Sequence, residues 1–457
     1  MVAGQRLRSS IDLCPMPCQA TAILDSRWSL WYSANHESTL SVRSSRRTCM
    51  TTNNTNKGHV FGRIRPDAAG KNPIHVSQPQ EQRDTQFRPL PKPTGELPFR
   101  LDLKSIITAA DYNTIVKKGK LTFHFNGDMG GIKQGMDQTL VAAGMERDFA
   151  PSADASENPA FLYITGDCVY YFGEVSNYYA QFYEPYEHYP GPIFAVPGNH
   201  DGETPAVGTA EANNPVNPTL DGFVRNFCQS KPIKMPESND SNRTAMTQPN
   251  VYWTLLTPFV NFVGLYSNVP EGGVVKQPQI DWFQNELATL DKNIPIIVTL
   301  HHPIYSADAF HSGSTHMKQL IEDAAKKVGR HPEMVVAGHV HNYQRFTKTM
   351  DGGKQVPYLV TGAGGYYHLH AMQKVNGQPM IAPVAFKDKE GDPTTLECYS
   401  ADHHGFLRME VTNKLMTGRY YEVPRSQDPY SKGSQLFDYF EFDWRNRLVH
   451  TNSLDAN

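Results

Sequence analysis

The chain has 457 residues, 39% of them hydrophobic and 19% charged, enough to bury a large core in one catalytic domain with appendages or in two domains. A formal net charge of -3 excludes a whole-chain bias toward nucleic acid or an anionic membrane surface, and no apolar run reaches the length of a bilayer span. The six cysteines (Cys14, Cys18, Cys49, Cys168, Cys228 and Cys398) form neither a zinc-ribbon set nor a secreted disulfide framework, whereas 18 histidines offer ample metal ligation and proton transfer.

Residues 1–95 are rich in Ser, Arg, Gln, Asn and Pro and carry little apolar periodicity, so they are expected to be a polar, poorly ordered extension or linker. Met1 to Arg47 holds no apolar core of a secretory signal, which makes the cytoplasm the default expectation, with secretion left open. On that expectation the sequons at Asn53, Asn239 and Asn242 read as polar loop.

Ordered patterning begins near Leu97. Five short apolar runs follow, each ending in polar residues able to bind metal. Leu121 to Phe125 leads to Asn126-Gly-Asp-Met-Gly130, and Phe161 to Thr165 leads to Gly166-Asp167. Ile193 to Val196 leads to Gly198-Asn-His-Asp201, Ile296 to Leu300 to His301-His302, and Met334 to Ala337 to Gly338-His-Val-His341. Runs this short and rich in Val, Ile and Phe read as buried strands. Gln279 to Leu290 and Met317 to Val328 carry apolar residues at helical spacing. Strands alternating with helices predict an α/β fold, whose ligands gather outside the carboxyl ends of the strands, where all five clusters lie.

Residues 202–250 are polar and weakly patterned, a length that predicts either a functional insertion such as a lid over the site or a disordered segment. From Pro357 the chain turns to strand-like runs: Tyr358 to Thr361, Phe406 to Val411 and Arg419 to Val423. The catalytic domain is therefore expected over residues 96–425, with 426–457 as a C-terminal tail.

Any one cluster alone is an ordinary loop at a strand end. Together, in this order, they resemble the motifs of the purple acid phosphatases, within the calcineurin-like metallophosphoesterase superfamily. The motifs are GDxG (Gly127 to Gly130), GDxxY (Gly166 to Tyr170), GNHD (Gly198 to Asp201), VxxH (Val298 to His301) and GHxH (Gly338 to His341). Two features point to that subfamily: Gly130 stands where most superfamily members carry a metal-binding His, and the second motif supplies Tyr170. The resemblance spans roughly residues 120–410. It implies the four-layer αββα sandwich of the metallo-dependent phosphatases.

It also implies two metal ions. Asp128, Asp167, Tyr170 and His341 would hold the first, Asp167, Asn199, His301 and His339 the second, with Asp167 bridging. A phenolate and carboxylates suit Fe(III), and neutral His and Asn ligands suit Zn, Mn or Fe(II). Two metals ~3.5–4 Å apart activate water as a metal-bound hydroxide and clamp both ends of an in-line displacement. Protonation of the leaving group then needs a separate acid. His200 is the first candidate, with Asp201 expected to orient or charge-tune its imidazole. His311, ten positions after His301, is the second, and His316 the fallback.

Several neighbours carry plainer readings. Tyr171 reads as core and Cys168 as a small buried residue. His302 follows a proposed ligand and points to the opposite face of its strand, so it reads as structural or supporting. Gly362 to Gly365 lacks the ending of a phosphate-binding P-loop and reads as a tight turn. His368, His370, His403 and His404 are extra candidates for substrate contact, but as isolated residues outside the motifs they read as surface or structural. The expected activity is hydrolysis of a phosphate monoester, on a small phosphorylated substrate and with no nucleic-acid platform. A phosphodiesterase acting on nucleotides or lipid headgroups is the enzymatic alternative. A non-catalytic metal-binding scaffold is the alternative of another class.

Overall fold

The computed structural model describes residues 90–132, 135–202, 220–267, 275–429 and 432–450. All belong to the unit Lys57–Asn457, so the unit Met1–Asn56 and the expected extension up to residue 89 lie outside the described residues. In chain order the elements are β1 (Arg100–Asp102), α1 (Ala109–Lys118), β2 (Lys120–Asn126), α2 (Met136–Arg147), β3 (Leu162–Ile164), β4 (Ile193–Ala195), α3 (Asn199–Gly202) and α4 (Asp221–Phe227). Next come β5 (Trp253–Leu256), β6 (Asn261–Gly264), α5 (Gln277–Thr289), β7 (Ile296–Leu300), α6 (Thr315–Val328), β8 (Met334–Ala337), β9 (Tyr343–Thr349) and β10 (Gln355–Thr361). The rest are strands: β11 (Lys374–Val375), β12 (Gln378–Pro379), β13 (Val384–Lys387), β14 (Pro393–Ser400), β15 (Gly405–Thr412), β16 (Leu415–Glu422), β17 (Gln435–Asp443) and β18 (Leu448–His450).

Two large sheets carry the architecture. One has nine strands in the order β1-β5-β6-β7-β8-β10-β9-β14-β13, the other seven in the order β18-β17-β16-β15-β2-β3-β4. β2, β3 and β4 run parallel in one, and β6, β7, β8 and β10 run parallel in the other. The sheets face each other across an aromatic core. Phe262 of β6 lies 5.0 Å from Phe123 and 5.5 Å from Tyr163 of the opposing sheet, and the Tyr163 hydroxyl meets Thr299 Oγ1 at 3.0 Å. Truncating such a ring, for example Phe262→Ala, costs about 3–5 kcal/mol through lost burial and the cavity left.

Helices cover the outer faces. α1 and α2 lie on the seven-stranded sheet, burying Ile115, Leu140, Val141 and Met145. α5 and α6 lie side by side on the other, where Trp282 meets Tyr252 at 5.1 Å and Glu286 accepts from Arg100 of β1 and Thr254 of β5. α6 starts where Ser314 caps the Met317 amide and ends at Gly329, whose φ of 73° a side chain would resist. The result is the four-layer αββα sandwich expected from the sequence. Among the described residues no helix is long and apolar enough to cross a membrane.

Two expectations about organisation change. The segment 426–457 is not simply a tail, because β17 and β18 complete the seven-stranded sheet. Asp438 masks the alternation of β17, and it is buried against the Arg345 guanidinium (2.7 and 2.8 Å) and the Tyr343 hydroxyl (2.7 Å) of β9. In the insertion 202–250, residues 203–219 lie outside the described residues, but the remainder packs as core rather than lid. Phe223 and Phe227 of α4 are buried and stacked at 4.7 Å, and Gln248 exchanges hydrogen bonds with the Ala195 backbone of β4 (2.8 and 3.0 Å).

Candidate metal centre

The five clusters meet at one edge of the sandwich. Asp128, Asp167, Tyr170 and Asn199 follow β2, β3 and β4 of the seven-stranded sheet, whereas His301, His339 and His341 follow β7 and β8 of the nine-stranded sheet. Oxygen donors thus come from one sheet and nitrogen donors from the other. Asp128 and Asp167 (φ 54° each) and His339 (φ 68°) all sit in the left-handed region, a strained backbone that turns each side chain sharply off its strand. The Asp128 N–H donates to Gly166 O at 2.9 Å and the Met129 N–H to Asp167 O at 3.2 Å, binding the first two loops together.

The seven residues form two knots. In the first, ligand atoms of Asp128, Asp167 and His341 all lie within 4.8 Å of one another, and the Tyr170 hydroxyl is 3.5 Å from Asp128 Oδ1 and 3.4 Å from His341 Nε2. In the second, Asn199 Oδ1 lies 2.9 Å from His301 Nε2 and 3.0 Å from His339 Nδ1, and Asp167 Oδ2 is 3.3 Å from His301 Nε2. Asp167 touches both. The outer nitrogens are held by carbonyls: His301 Nδ1 on Thr165 O (2.9 Å) and His341 Nδ1 on His368 O (3.0 Å). Such bonds fix the tautomer that leaves the Nε2 lone pair facing inward.

The electrostatics ask for cations. Asp128, Asp167 and Tyr170 are fully buried, and the ion-pair partners of the two carboxylates among the described residues are histidines. Burial pushes Asp128 well above the usual carboxylate range, and burial together with both carboxylates pushes the Tyr170 phenol well up. Burial also opposes ionisation of Asp167, but the nearby His301 and His200 charges outweigh it and hold Asp167 low. His301, pulled down by burial and up by Asp167 and Asp128, ends at about 9. Two groups that ionise only at a cost, Asp128 and Tyr170, share a space with the ionised Asp167 and with imidazole lone pairs, which fits metal binding. Gly130 completes the fit: a Cβ there would lie 2.5 Å from Tyr170 Cδ2, so its absence makes room for the phenol ring.

The candidate acids are placed unequally. His200 donates its backbone N–H to Asp167 Oδ1 (2.9 Å), and its ring lies 4.5 Å from that of Tyr170. Its imidazole is oriented by the Tyr171 carbonyl, 2.9 Å from Nδ1, and not by Asp201 as expected. Asp201 points the other way and accepts the N–H groups of Gly198 (2.8 Å), Cys168 (3.1 Å) and Val169 (3.1 Å), pinning the second and third loops together. The helical turn of α3 sends neighbouring side chains in different directions, which reverses the expectation for Asp201. His311 lies beside the centre, its ring 4.8 Å from that of His339. The fallback His316 is exposed in the first turn of α6.

Among the bystanders, His302 bonds Ser267 Oγ at 2.7 Å, Cys168 is buried, and His404 Nε2 donates to Tyr366 O at 2.9 Å. His403 sits with Asp402 (3.1 Å) in a more exposed loop. Two further residues at the centre, Tyr366 and Asp308, escaped the sequence reading, and a third, His370, was read there as surface or structural. Tyr366 lies 4.4 Å from both Tyr170 and His341, ring to ring, His370 lies 4.3 Å from His341, and Asp308 lies 3.4 Å from His370. For Tyr366 and His370 the signal was a sixth strand end: β10 runs parallel to β8, so the chain after Thr361 arrives at the same edge, whereas Asp308 lies in the loop that follows β7 and His301.

Residues 122–343 match the family model of the calcineurin-like phosphoesterases. The chain is 30% identical over 125 residues to a probable purple acid phosphatase 20, and 30% identical over 128 residues to purple acid phosphatase 21, both of Arabidopsis thaliana. Each stretch is 26% of this chain, and it spans only about a quarter of either relative, 27% and 28% of their lengths. Among solved structures the chain is similar to a purple acid phosphatase from yellow lupin (Lupinus luteus) seeds, with a TM-score of 0.48 and 16% identity over 73% of this chain and 57% of that one. It is also similar to a dimetal phosphatase from Danio rerio, with a TM-score of 0.40 and 12% identity over 73% of this chain and 99% of that one.

Proposed function

The chain carries a calcineurin-like phosphoesterase domain akin to the purple acid phosphatases, and on that premise we propose that it hydrolyses phosphate monoesters at a binuclear metal centre. The observation that carries this reading is the pair of knots sharing Asp167. The phenol and carboxylate oxygens of the first suit Fe(III), and the Asn199 and imidazole donors of the second suit Zn, Mn or Fe(II). When bound, such a pair supplies Lewis-acid activation of water and neutralises charge building on the phosphoryl oxygens.

The chain's own residues do the rest. Asp167 draws both knots onto one carboxylate, and the Thr165 and His368 carbonyls keep His301 and His341 turned inward. His200, its Nδ1 on the Tyr171 carbonyl, would hold and release the leaving-group proton at Nε2. His311, beside His339, would contact the phosphate.

Initial rates of the metal-loaded chain on an aryl phosphomonoester and a bis-aryl phosphodiester, with Asp167→Asn as control, test the reading. A monoester preference lost in the variant is expected. A diester preference would keep the centre but make the chain a phosphodiesterase, and metal binding without turnover on either ester would leave a scaffold.

A further inference from the structure

Two loops outside the five sequence clusters join beside the centre. Asp308 and Met372 form an antiparallel bridge, flanked by Ala309 N–H to Ala371 O (2.9 Å) and Gln373 N–H to Ala307 O (2.8 Å). The Asp308 carboxylate is 2% exposed and lies at the junction. Its Oδ2 accepts the N–H groups of Phe310 (2.9 Å) and His311 (2.7 Å) and lies 3.4 Å from His370 Nδ1, while Oδ1 is 3.4 Å from Asn342 Nδ2. A buried carboxylate is costly unless its partners are organised around it, and these partners are one imidazole and the backbone that carries another.

The two rings lie next to each other, each beside a different proposed ligand. The His370 ring lies 4.3 Å from that of His341, a proposed ligand of the first metal, and the His370 backbone N–H donates to His341 O at 2.9 Å. His311 lies 4.8 Å from His339, a proposed ligand of the second. The rings of His311 and His370 are 5.0 Å apart. We propose that His370 is a phosphate-contacting residue, forming with His311 a two-imidazole clamp that spans both metal positions, and that Asp308 is the positioning residue holding the rings in place. The inference rests on the phosphoesterase reading above and deepens it. With Asp308 at Nδ1, the contacting atom of His370 is Nε2. A monoester presents one more terminal oxygen than a diester, so a second imidazole at the phosphate favours the monoester.

The test uses the full metal-loaded chain and the variants His370→Phe, His370→Gln, Asp308→Ala and the double variant Asp308→Ala with His370→Phe. Phenylalanine keeps the ring packed against His341 and Phe310, and glutamine keeps a polar tip. Metal content, melting temperature and calorimetric affinity for inorganic phosphate are read first, then kcat and KM on an aryl phosphomonoester. His370→Phe is expected to weaken phosphate binding roughly tenfold or more at unchanged metal content, with the rate loss in KM rather than kcat. His370→Gln should recover part of the affinity. Asp308→Ala should match His370→Phe, and the double variant should be no worse than either, as residues acting as one unit behave. Wild-type phosphate affinity in His370→Phe at full metal content would overturn the clamp. Weakened phosphate binding in a chain that hydrolyses no phosphoester would support the clamp while overturning the activity.

Discussion

Adding a single methyl group at Gly130 should dislodge the phenol of Tyr170. A Cβ there would stand 2.5 Å from Tyr170 Cδ2 and 2.6 Å from Gln181 Oε1, whereas carbon atoms settle at about 3.5–4.0 Å. The ring would have to retreat by roughly 1 Å. It has no room: Tyr170 is fully buried, 4.5 Å from the His200 ring and 4.4 Å from that of Tyr366. Gln181, in a π-helical turn (Tyr179–Tyr183), is fixed as well, exchanging bonds of 2.9 Å with the Tyr170 N–H and carbonyl. Overpacking of this kind costs about 1–3 kcal/mol. The functional cost is larger, because a displacement of about 1 Å at a reacting centre lowers rates on the order of 100-fold. The assay is the visible phenolate-to-Fe(III) absorption of the iron-loaded Gly130→Ala variant, with kcat/KM on an aryl phosphomonoester. Bleaching or a shift of the band and a rate loss of that order are expected. A wild-type band with a wild-type rate would refute the claim that Gly130 makes room for a phenolate ligand.

Asp201→Asn replaces one acceptor by a donor against the amides of Gly198, Cys168 and Val169, leaving one buried N–H unpaired at a cost of about 1–3 kcal/mol. An unchanged unfolding midpoint would sink that assignment. Removing metal with a chelator should lower the melting temperature, and restoring a divalent ion at 100 times its dissociation constant should return about 2.7 kcal/mol; differential scanning calorimetry decides. Acid should weaken the fold in two stages. Burial holds His124 below its ordinary 6.5 against the opposing pull of Asp148, so the unfolded chain takes up that proton first. Stability is full above that value and falls as pH drops below it. Burial raises Asp148, but the His124 bond and charge and then Arg408 outweigh it and hold it below 3.8, which adds a loss at still lower pH. Urea midpoints at pH 8, 6 and 5 should show the first stage in the wild type and not in His124→Gln; identical slopes would rule it out.

The proposed metal ligands were legible because each follows a buried parallel strand, and such strands announce themselves as short apolar runs. Asp201 misled because adjacency in sequence to His200 suggested contact, whereas the turn of α3 separates the two side chains. The roles of Tyr366 and His370 were hidden for a topological reason, whereas Asp308 follows β7 and His301 and its link to His370 is a contact between two loops. The apolar run of β10 was visible, but its place beside β8, parallel and pointing at the centre, follows from strand order and not from local pattern. β17 was missed because Asp438 breaks its alternation, and the partner that satisfies it, Arg345, lies on β9 in the other sheet.

The division of donors between the sheets makes metal choice a consequence of assembly. The chain segment that emerges first in synthesis carries Asp128, Asp167, Tyr170 and Asn199, an all-oxygen set suited to hard ions. The later segment carries His301, His339 and His341, an all-imidazole set that suits Zn or Cu. Neither half resembles the finished site. The mixed donor set exists only once the two sheets have docked, so on the proposed ligand set selectivity would be a property of the closed sandwich, and an ion captured early by one half would meet different competition after docking. Bound ions would then act as a clasp between the sheets, released only when the layers part.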